Sequence, residues 1–238
     1  RHEAISRAYE NGVGFILNAS QDIATSVESI SLAQEYHYVF AAVGVHPHNA
    51  SGMSASALKT LEELASHKCV VAIGEAGLDY YYDNSPRDIQ KMWLKRQISL
   101  AKNLKLPIII HDRDAHEDVM NIVKEEKAGE TGGVFHCYSG SVEMAKQLID
   151  NNFYISIGGP VTFKNARKAV EVVKFIPQER LLIETDCPYL APEPYRGRRN
   201  ESSYIRFIAE KIAEIRDISV QEVEEFTTAN AKRLFGIG

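Results

Sequence analysis

The sequence predicts an α/β fold, a TIM (β/α)8 barrel. Short apolar runs alternate with longer amphipathic stretches along the 238 residues, which is the pattern of strands followed by helices. The runs are almost continuously apolar, as in parallel strands that helices cover on both faces. Metal-binding or acid–base residues follow most of them, and a barrel places its chemistry at the same strand ends.

Seven runs are predicted to be strands because each is apolar or β-branched and lies between turn residues. They are residues 13–19, 39–45, 70–74, 107–110, 133–135, 153–157 and 181–185. An open doubly wound sheet has the same alternation. That fold often carries a glycine-rich phosphate loop early in the chain, and the sequence has neither GxGxxG nor GxxxxGK. The barrel is therefore the favoured fold.

The predicted helices have start signals that local chemistry explains. Ser85 and Pro86 place a hydroxyl cap and a proline ahead of an apolar-periodic stretch, and proline is favoured at the first helical position. Residues 114–117 and 219–222 have the Ser- or Asp-x-x-Glu spacing of a helix start, with the cap residue and the acid three positions apart. The proline-rich residues 188–197 are predicted to form a long loop.

The composition is that of a globular protein, with 45% hydrophobic residues, 25% charged residues and a formal net charge of -5. No linker divides the chain, so we expect one domain over residues 1–238. The acidic balance argues against sequence-independent coating of nucleic acid but permits a local basic pocket. No apolar run approaches the roughly 18 residues that a membrane span needs. We expect a cytoplasmic protein without an obligate protein partner.

Five predicted strands are followed by residues that can bind metal or transfer protons. They are His46, Glu75, His111, His136 and Asp186. In a barrel the C-terminal ends of the strands meet at one mouth. These side chains would then form a cluster of nitrogen and carboxylate ligands, which is typical of hydrolytic metal sites.

Six local strings extend this pattern. They are GVHPH at 44–48, GEAGLDYY at 74–81, PIIIHDR at 107–113, FHCYSG at 135–140, ETDCPYL at 184–190 and PYRGRRN at 194–200. In this order they resemble the motifs of the TatD family, metal-dependent deoxyribonucleases of the amidohydrolase-type barrel superfamily. The resemblance covers essentially the whole chain.

The resemblance implies two divalent metal ions, with Mg, Mn and Zn as candidates. Glu75 would bridge both ions, His111 and His136 would complete the ligands of one, and Asp186 would bind the other and position or deprotonate the attacking water. Glu75 and Asp186 would therefore be catalytic. The residues expected to contact substrate are His46, Arg113, Tyr138, Arg196 and Arg198, with Arg199, Tyr80 and Tyr81 as further candidates. His48 would also lie near the substrate end of the pocket or would only cap its loop.

The implied activity is phosphodiester hydrolysis, with DNA as substrate and a 3'-5' exonuclease as the enzyme type. The family pattern also has a His-x-His pair at the end of a first strand, and no such pair precedes residue 46 in this sequence. We expect that strand to lie upstream of Arg1. Two alternatives stay open: a small-molecule amidohydrolase or phosphotriesterase-like enzyme, and a non-catalytic metal- or DNA-binding relative that lacks the pair.

Overall fold

The computed structural model describes residues 1–238, in which seven strands alternate with nine α-helices. The strands are β1 Ile16–Ala19, β2 Val39–Val43, β3 Val70–Asp79, β4 Ile108–Arg113, β5 Gly133–Phe135, β6 Phe153–Ile157 and β7 Leu181–Ile183. The helices are α1 His2–Glu10, α2 Ile23–Glu35, α3 Ala55–Ala65, α4 Arg87–Leu104, α5 His116–Glu125, α6 Val142–Asp150, α7 Arg167–Phe175, α8 Ile205–Arg216 and α9 Val220–Phe235. All seven predicted strands are confirmed. No helix combines the length and apolar character required to cross a membrane.

The chain divides into two compact units. Unit A, as we name it, consists of residues 15–135 and 234–237, and unit B of residues 1–14, 136–233 and 238. In unit A, strands β1 to β5 pair in chain order and in parallel. In unit B, strand β6 pairs in parallel with β7. The expectation of a single domain over residues 1–238 stays a prediction.

Strand β3 is twice as long as its apolar run. The run ends at Gly74, whereas pairing with β4 continues until Asp79 lies opposite Arg113. The register shifts between Ile73 and Ala76, and such an irregularity redirects the side chains beside it. Glu75 therefore lies within β3 and His111 within β4. The sequence had predicted both residues to come just after the strand ends.

The core of unit A forms where helix α4 packs on strand β3. Trp93, Leu94 and Ile98 from α4 and Ile73 and Leu78 from β3 are at most 2% exposed. The three α4 residues are buried because the helical spacing of its apolar residues places them on one face of the helix. The packed helix supports the strand that carries Glu75.

Two of the predicted helix starts are corrected. Ser85 does not cap α4, which begins at Arg87 after Pro86 with no side-chain cap. The Ser85 hydroxyl instead donates to His48 O at 3.0 Å and accepts the N–H of Ser51 at 3.1 Å. Helix α5 begins at His116, and Asp114 does not cap it. The Ser219 start is confirmed, since Ser219 and Glu222 exchange hydrogen bonds of 2.9 and 3.2 Å.

Candidate metal-dependent active site

Three residues singled out from the sequence converge in unit A. His46, Glu75 and His111 each offer a ligand atom, and these atoms lie within 4.8 Å of one another. His111 Nδ1 lies 2.7 Å from Glu75 Oε1, and His46 Nε2 lies 3.6 Å from the same oxygen. Imidazole nitrogens with a carboxylate suit Zn and several other divalent ions. Glu75 Oε1 and His111 Nδ1 therefore fit the divalent metal that the sequence implied.

Backbone contacts hold Glu75 and His46 in place. The N–H of Glu75 donates to Ser20 O at 3.0 Å, and the N–H of His46 donates to Gln21 O at 2.9 Å. The buried amide of Gln97 binds both backbone groups of Val45, accepting its N–H at 2.7 Å and donating to its carbonyl at 3.0 Å. Because a buried backbone group without a partner is costly, this amide helps fix the segment that carries His46.

The two histidines have different hydrogen-bond roles. His46 Nδ1 accepts the backbone N–H of His48 at 3.1 Å. A neutral imidazole has one donor and one acceptor nitrogen, so the proton of His46 is assigned to Nε2, the atom facing Glu75. The Nε2–H of His46 therefore faces Glu75 Oε1 at 3.6 Å. His111 Nε2 lies 3.2 Å from Asp79 Oδ2, and with a metal bound, donation from Nε2 to Asp79 would leave the Nδ1 lone pair for the ion.

Asp79 is a site residue that the sequence reasoning missed. Its side chain is 1% exposed, and Oδ2 lies 2.9 Å from His48 Nε2 as well as 3.2 Å from His111 Nε2. Burial by itself would raise the pKa of Asp79, but hydrogen bonds from His111, the Tyr82 N–H and His48 outweigh burial and hold that pKa well below its usual range. A signal was available, because Asp79 follows Glu75 at an even spacing and such strand residues share a face.

In unit B, His136 and Asp186 lie beside the ends of their strands. His136 directly follows β5, and its Nδ1 lies 3.4 Å from Glu184 Oε1. That glutamate oxygen is buried without a hydrogen-bond partner, and a buried acceptor in this state fits a cation or water. From the sequence alone, Glu184 is distinguished only by its place in the motif at 184–190. Asp186 is half-buried after β7, with a left-handed φ of 52°.

The candidate substrate residues differ in their surroundings. Arg113 is exposed, with its guanidinium 4.2 Å from the ring centroid of Tyr81. Tyr80 is partly buried, and its hydroxyl donates to Asp118 at 2.6 Å; burial and this bond raise the pKa of Tyr80. Tyr138 is 8% exposed and donates to Ser141 O, and its contact with substrate stays a prediction.

The three arginines of the 194–200 motif are exposed. The guanidinium of Arg196 lies 4.1 Å from the ring centroid of Phe163, and that of Arg198 lies 6.0 Å from the ring centroid of Tyr195. Their charged heads are therefore available to a solvent-borne anion.

Comparison with known proteins decides the family. The sequence profile described as TatD related DNase matches residues 1–236. The chain belongs to the TatD family. A TatD-family relative from Bacillus subtilis strain 168, named uncharacterized metal-dependent hydrolase YabD, is 52% identical over 235 residues, 99% of this chain and 92% of the relative. The Salmonella typhimurium protein named 3'-5' ssDNA/RNA exonuclease TatD is 35% identical over 242 residues, 100% of this chain and 93% of the relative.

The solved structures confirm the fold class. The structure of YjjV, a TatD homologue from Escherichia coli K12, superposes with a TM-score of 0.93 at 29% identity, covering 100% of this chain and 92% of that one. This TatD-family chain is thus a metal-dependent hydrolase with an α/β barrel-type fold.

Proposed function

We propose that this TatD-family hydrolase cleaves phosphodiester bonds in single-stranded DNA or RNA, acting from the 3' end. The observation that carries the proposal is the convergence of His46, Glu75 and His111 within 4.8 Å, in the same unit as the exposed guanidinium of Arg113. A hydrolytic metal site beside a cation suits an anionic phosphodiester. The name of the Salmonella relative supports nucleic acid as the substrate class.

We assign the metal-binding roles to Glu75 and His111 in unit A and to His136 and Asp186 in unit B, for two divalent ions such as Mg, Mn or Zn. Bound ions supply Lewis acidity and make water a stronger nucleophile near neutral pH. Glu75 and Asp186 are the proposed catalytic residues.

The other roles belong to the chain's own side chains. Asp186 accepts the proton of the attacking water. His46, whose Nε2–H lies 3.6 Å from Glu75 Oε1, would donate this N–H to the substrate. Arg113, Arg196 and Arg198 bind phosphate oxygens, for which the planar guanidinium is well suited. Tyr138 is proposed to border the substrate.

The test uses a single-stranded DNA or RNA oligonucleotide labelled at its 5' end, so that removal of 3' nucleotides produces a ladder. We expect shortening that requires divalent metal and stops in EDTA. Glu75→Gln and Asp186→Asn should each reduce kcat/KM by at least about 100-fold, in the range of losses for groups that assist proton transfer. Glu62→Gln, an equivalent change on the exposed surface of α3, is the matched control.

Two results contradict the proposal. One is a rate that neither EDTA nor Glu75→Gln changes. The other is metal-dependent hydrolysis of a lactone or phosphotriester with no cleavage of any oligonucleotide, which would favour the small-molecule hydrolase.

A further inference from the structure

Two adjacent tyrosines remain exposed directly after strand β3. Tyr81 is 59% exposed and Tyr82 is 55% exposed. Their rings meet edge to face, with centroids 4.9 Å apart and planes at 89°. The guanidinium of Arg113 lies 4.2 Å from the Tyr81 centroid and 4.9 Å from the Tyr82 centroid. We call these three residues the Tyr81–Tyr82–Arg113 platform.

The backbone of the platform is attached to buried structure. Asp79 Oδ1 accepts the N–H of Tyr81 at 3.1 Å and that of Tyr82 at 2.9 Å. From the opposite strand, Arg113 O accepts the N–H of Tyr80 at 2.9 Å. Because Asp79 is buried, its hydrogen bonds fix the backbone of both tyrosines. Little backbone ordering is then needed when a ligand binds.

The same carboxylate connects the platform to the metal-ligand cluster. While Oδ1 of Asp79 holds the two tyrosine N–H groups, its Oδ2 contacts His48 and His111. The Tyr82 ring also meets the His48 ring edge to face, with centroids 5.3 Å apart. A ligand on the platform would therefore sit at a defined position relative to His111.

The chemistry of the platform indicates its ligand. Exposed aromatic rings beside a guanidinium provide stacking surfaces for bases and a positive charge for the backbone, as in single-strand binding grooves. A base within a duplex already has both faces covered by its neighbours, so it cannot stack on a protein ring without being extruded. An unpaired base has a free face.

We propose that the Tyr81–Tyr82–Arg113 platform stacks an unpaired nucleobase of a single-stranded substrate beside the metal-ligand cluster; this rests on the proposed nuclease function. Stacking on the platform does not discriminate among the bases, because every base has a π-face. It would make the enzyme favour unpaired ends over blunt duplex ends.

The experiment compares a single-stranded oligonucleotide with a series in which one abasic residue is moved through the positions next to the 3' end. The variants are Tyr81→Ala/Tyr82→Ala and the conservative Tyr81→Phe/Tyr82→Phe, and the control is Tyr9→Ala on α1, where the tyrosine is 50% exposed. Wild type should lose about 5- to 150-fold in kcat/KM at one abasic position, as expected for one stacked base. The alanine pair should lose as much on the intact strand and show no further abasic penalty. The phenylalanine pair keeps the rings and should retain the abasic penalty, whereas the control should behave like wild type.

A binding measurement separates this proposal from the nuclease proposal. An oligonucleotide with 2-aminopurine near its 3' end is titrated with protein in EDTA, where stacking quenches its fluorescence. The platform proposal is supported if wild type quenches the fluorescence and the alanine pair does not. That support holds even if no oligonucleotide is cleaved, because absence of cleavage by itself refutes only the nuclease proposal. The platform proposal is overturned if wild type and the alanine pair quench the fluorescence equally, or if the alanine pair still loses kcat/KM on the abasic oligonucleotide. If the alanine pair changes its sedimentation coefficient but keeps the abasic loss of kcat/KM, the two tyrosines belong to a protein interface. That result also overturns the platform proposal.

Discussion

The buried carboxylate of Asp79 lies against the ring of His111, with Oδ2 3.2 Å from Nε2. The other ring nitrogen of His111 lies 2.7 Å from Glu75 Oε1. Histidines that bind a metal usually donate their second N–H to a carboxylate or carbonyl, which fixes the tautomer and the ring orientation. In this geometry Asp79 positions His111 without itself being a proposed metal ligand.

Replacing Asp79 by Asn should weaken metal binding by about 10- to 100-fold, the usual cost of losing such a partner. The amide removes the negative charge that favours an Nε2–H on His111. The dissociation constant is measured by competition with a chromophoric chelator. Asp88→Asn, a change at an exposed position of α4, is the control, and equal affinities for wild type and Asp79→Asn would refute the positioning role.

His46 and His111 should differ in their effects on metal content. His46→Gln retains an N–H donor and should leave the bound metal per chain unchanged, because His46 Nδ1 already accepts the His48 N–H. His111→Gln removes a proposed ligand and should lower the metal content. Both variants are dialysed against the same buffered metal and measured by atomic emission. Loss of metal in His46→Gln would make His46 a ligand.

Gly77 allows strands β3 and β4 to approach closely. A Cβ on Gly77 would lie 1.9 Å from His111 O, so Gly77→Ala must separate the strands beside a proposed ligand. We expect a loss of about 1 to 3 kcal/mol in the free energy of unfolding, the range for overpacking, together with weaker metal binding. Urea denaturation measures the first effect. Gly52→Ala, where a Cβ meets nothing within 4 Å, is the control, and equal stability of the two variants would contradict this account.

The ion pair between Arg7 and Glu201 should make the stability of unit B depend on pH. Arg7 Nη2 lies 2.8 Å from Glu201 Oε2, and this hydrogen bond, with one from Ser203, lowers the pKa of Glu201. A carboxyl with a lowered folded pKa stabilises the fold above its unfolded pKa of about 4.3, and loses that contribution as the pH falls through the folded pKa.

Glu201→Gln should therefore have a lower Tm than wild type at pH 7, and the difference should shrink below about pH 4.3. Thermal unfolding followed by circular dichroism at several pH values measures it. Glu171→Gln, which removes an exposed glutamate on α7, is the comparison. A Tm difference that is constant with pH would rule out the ion pair as its source.

Much of this protein follows from local sequence. The seven apolar runs became seven strands because burial on both faces requires a continuous apolar segment. The hydrogen bonds that Ser219 and Glu222 exchange at the start of α9 were also predictable, because they join residues only three positions apart. The six ordered motifs were enough to indicate the family, since they supply the ligand types that a hydrolytic metal site needs.

The tertiary structure decided what depends on neighbours distant in sequence. The Ser85 hydroxyl binds a loop 37 residues away instead of capping its own helix, and the tautomer of His46 follows from the contact at Nδ1. Tyr80 is partly buried while Tyr81 and Tyr82 stay exposed, although the three tyrosines are consecutive in the sequence. Hydrogen-bond partners and solvent exposure depend on which atoms the fold brings together, and local sequence cannot specify that for polar side chains with several available partners.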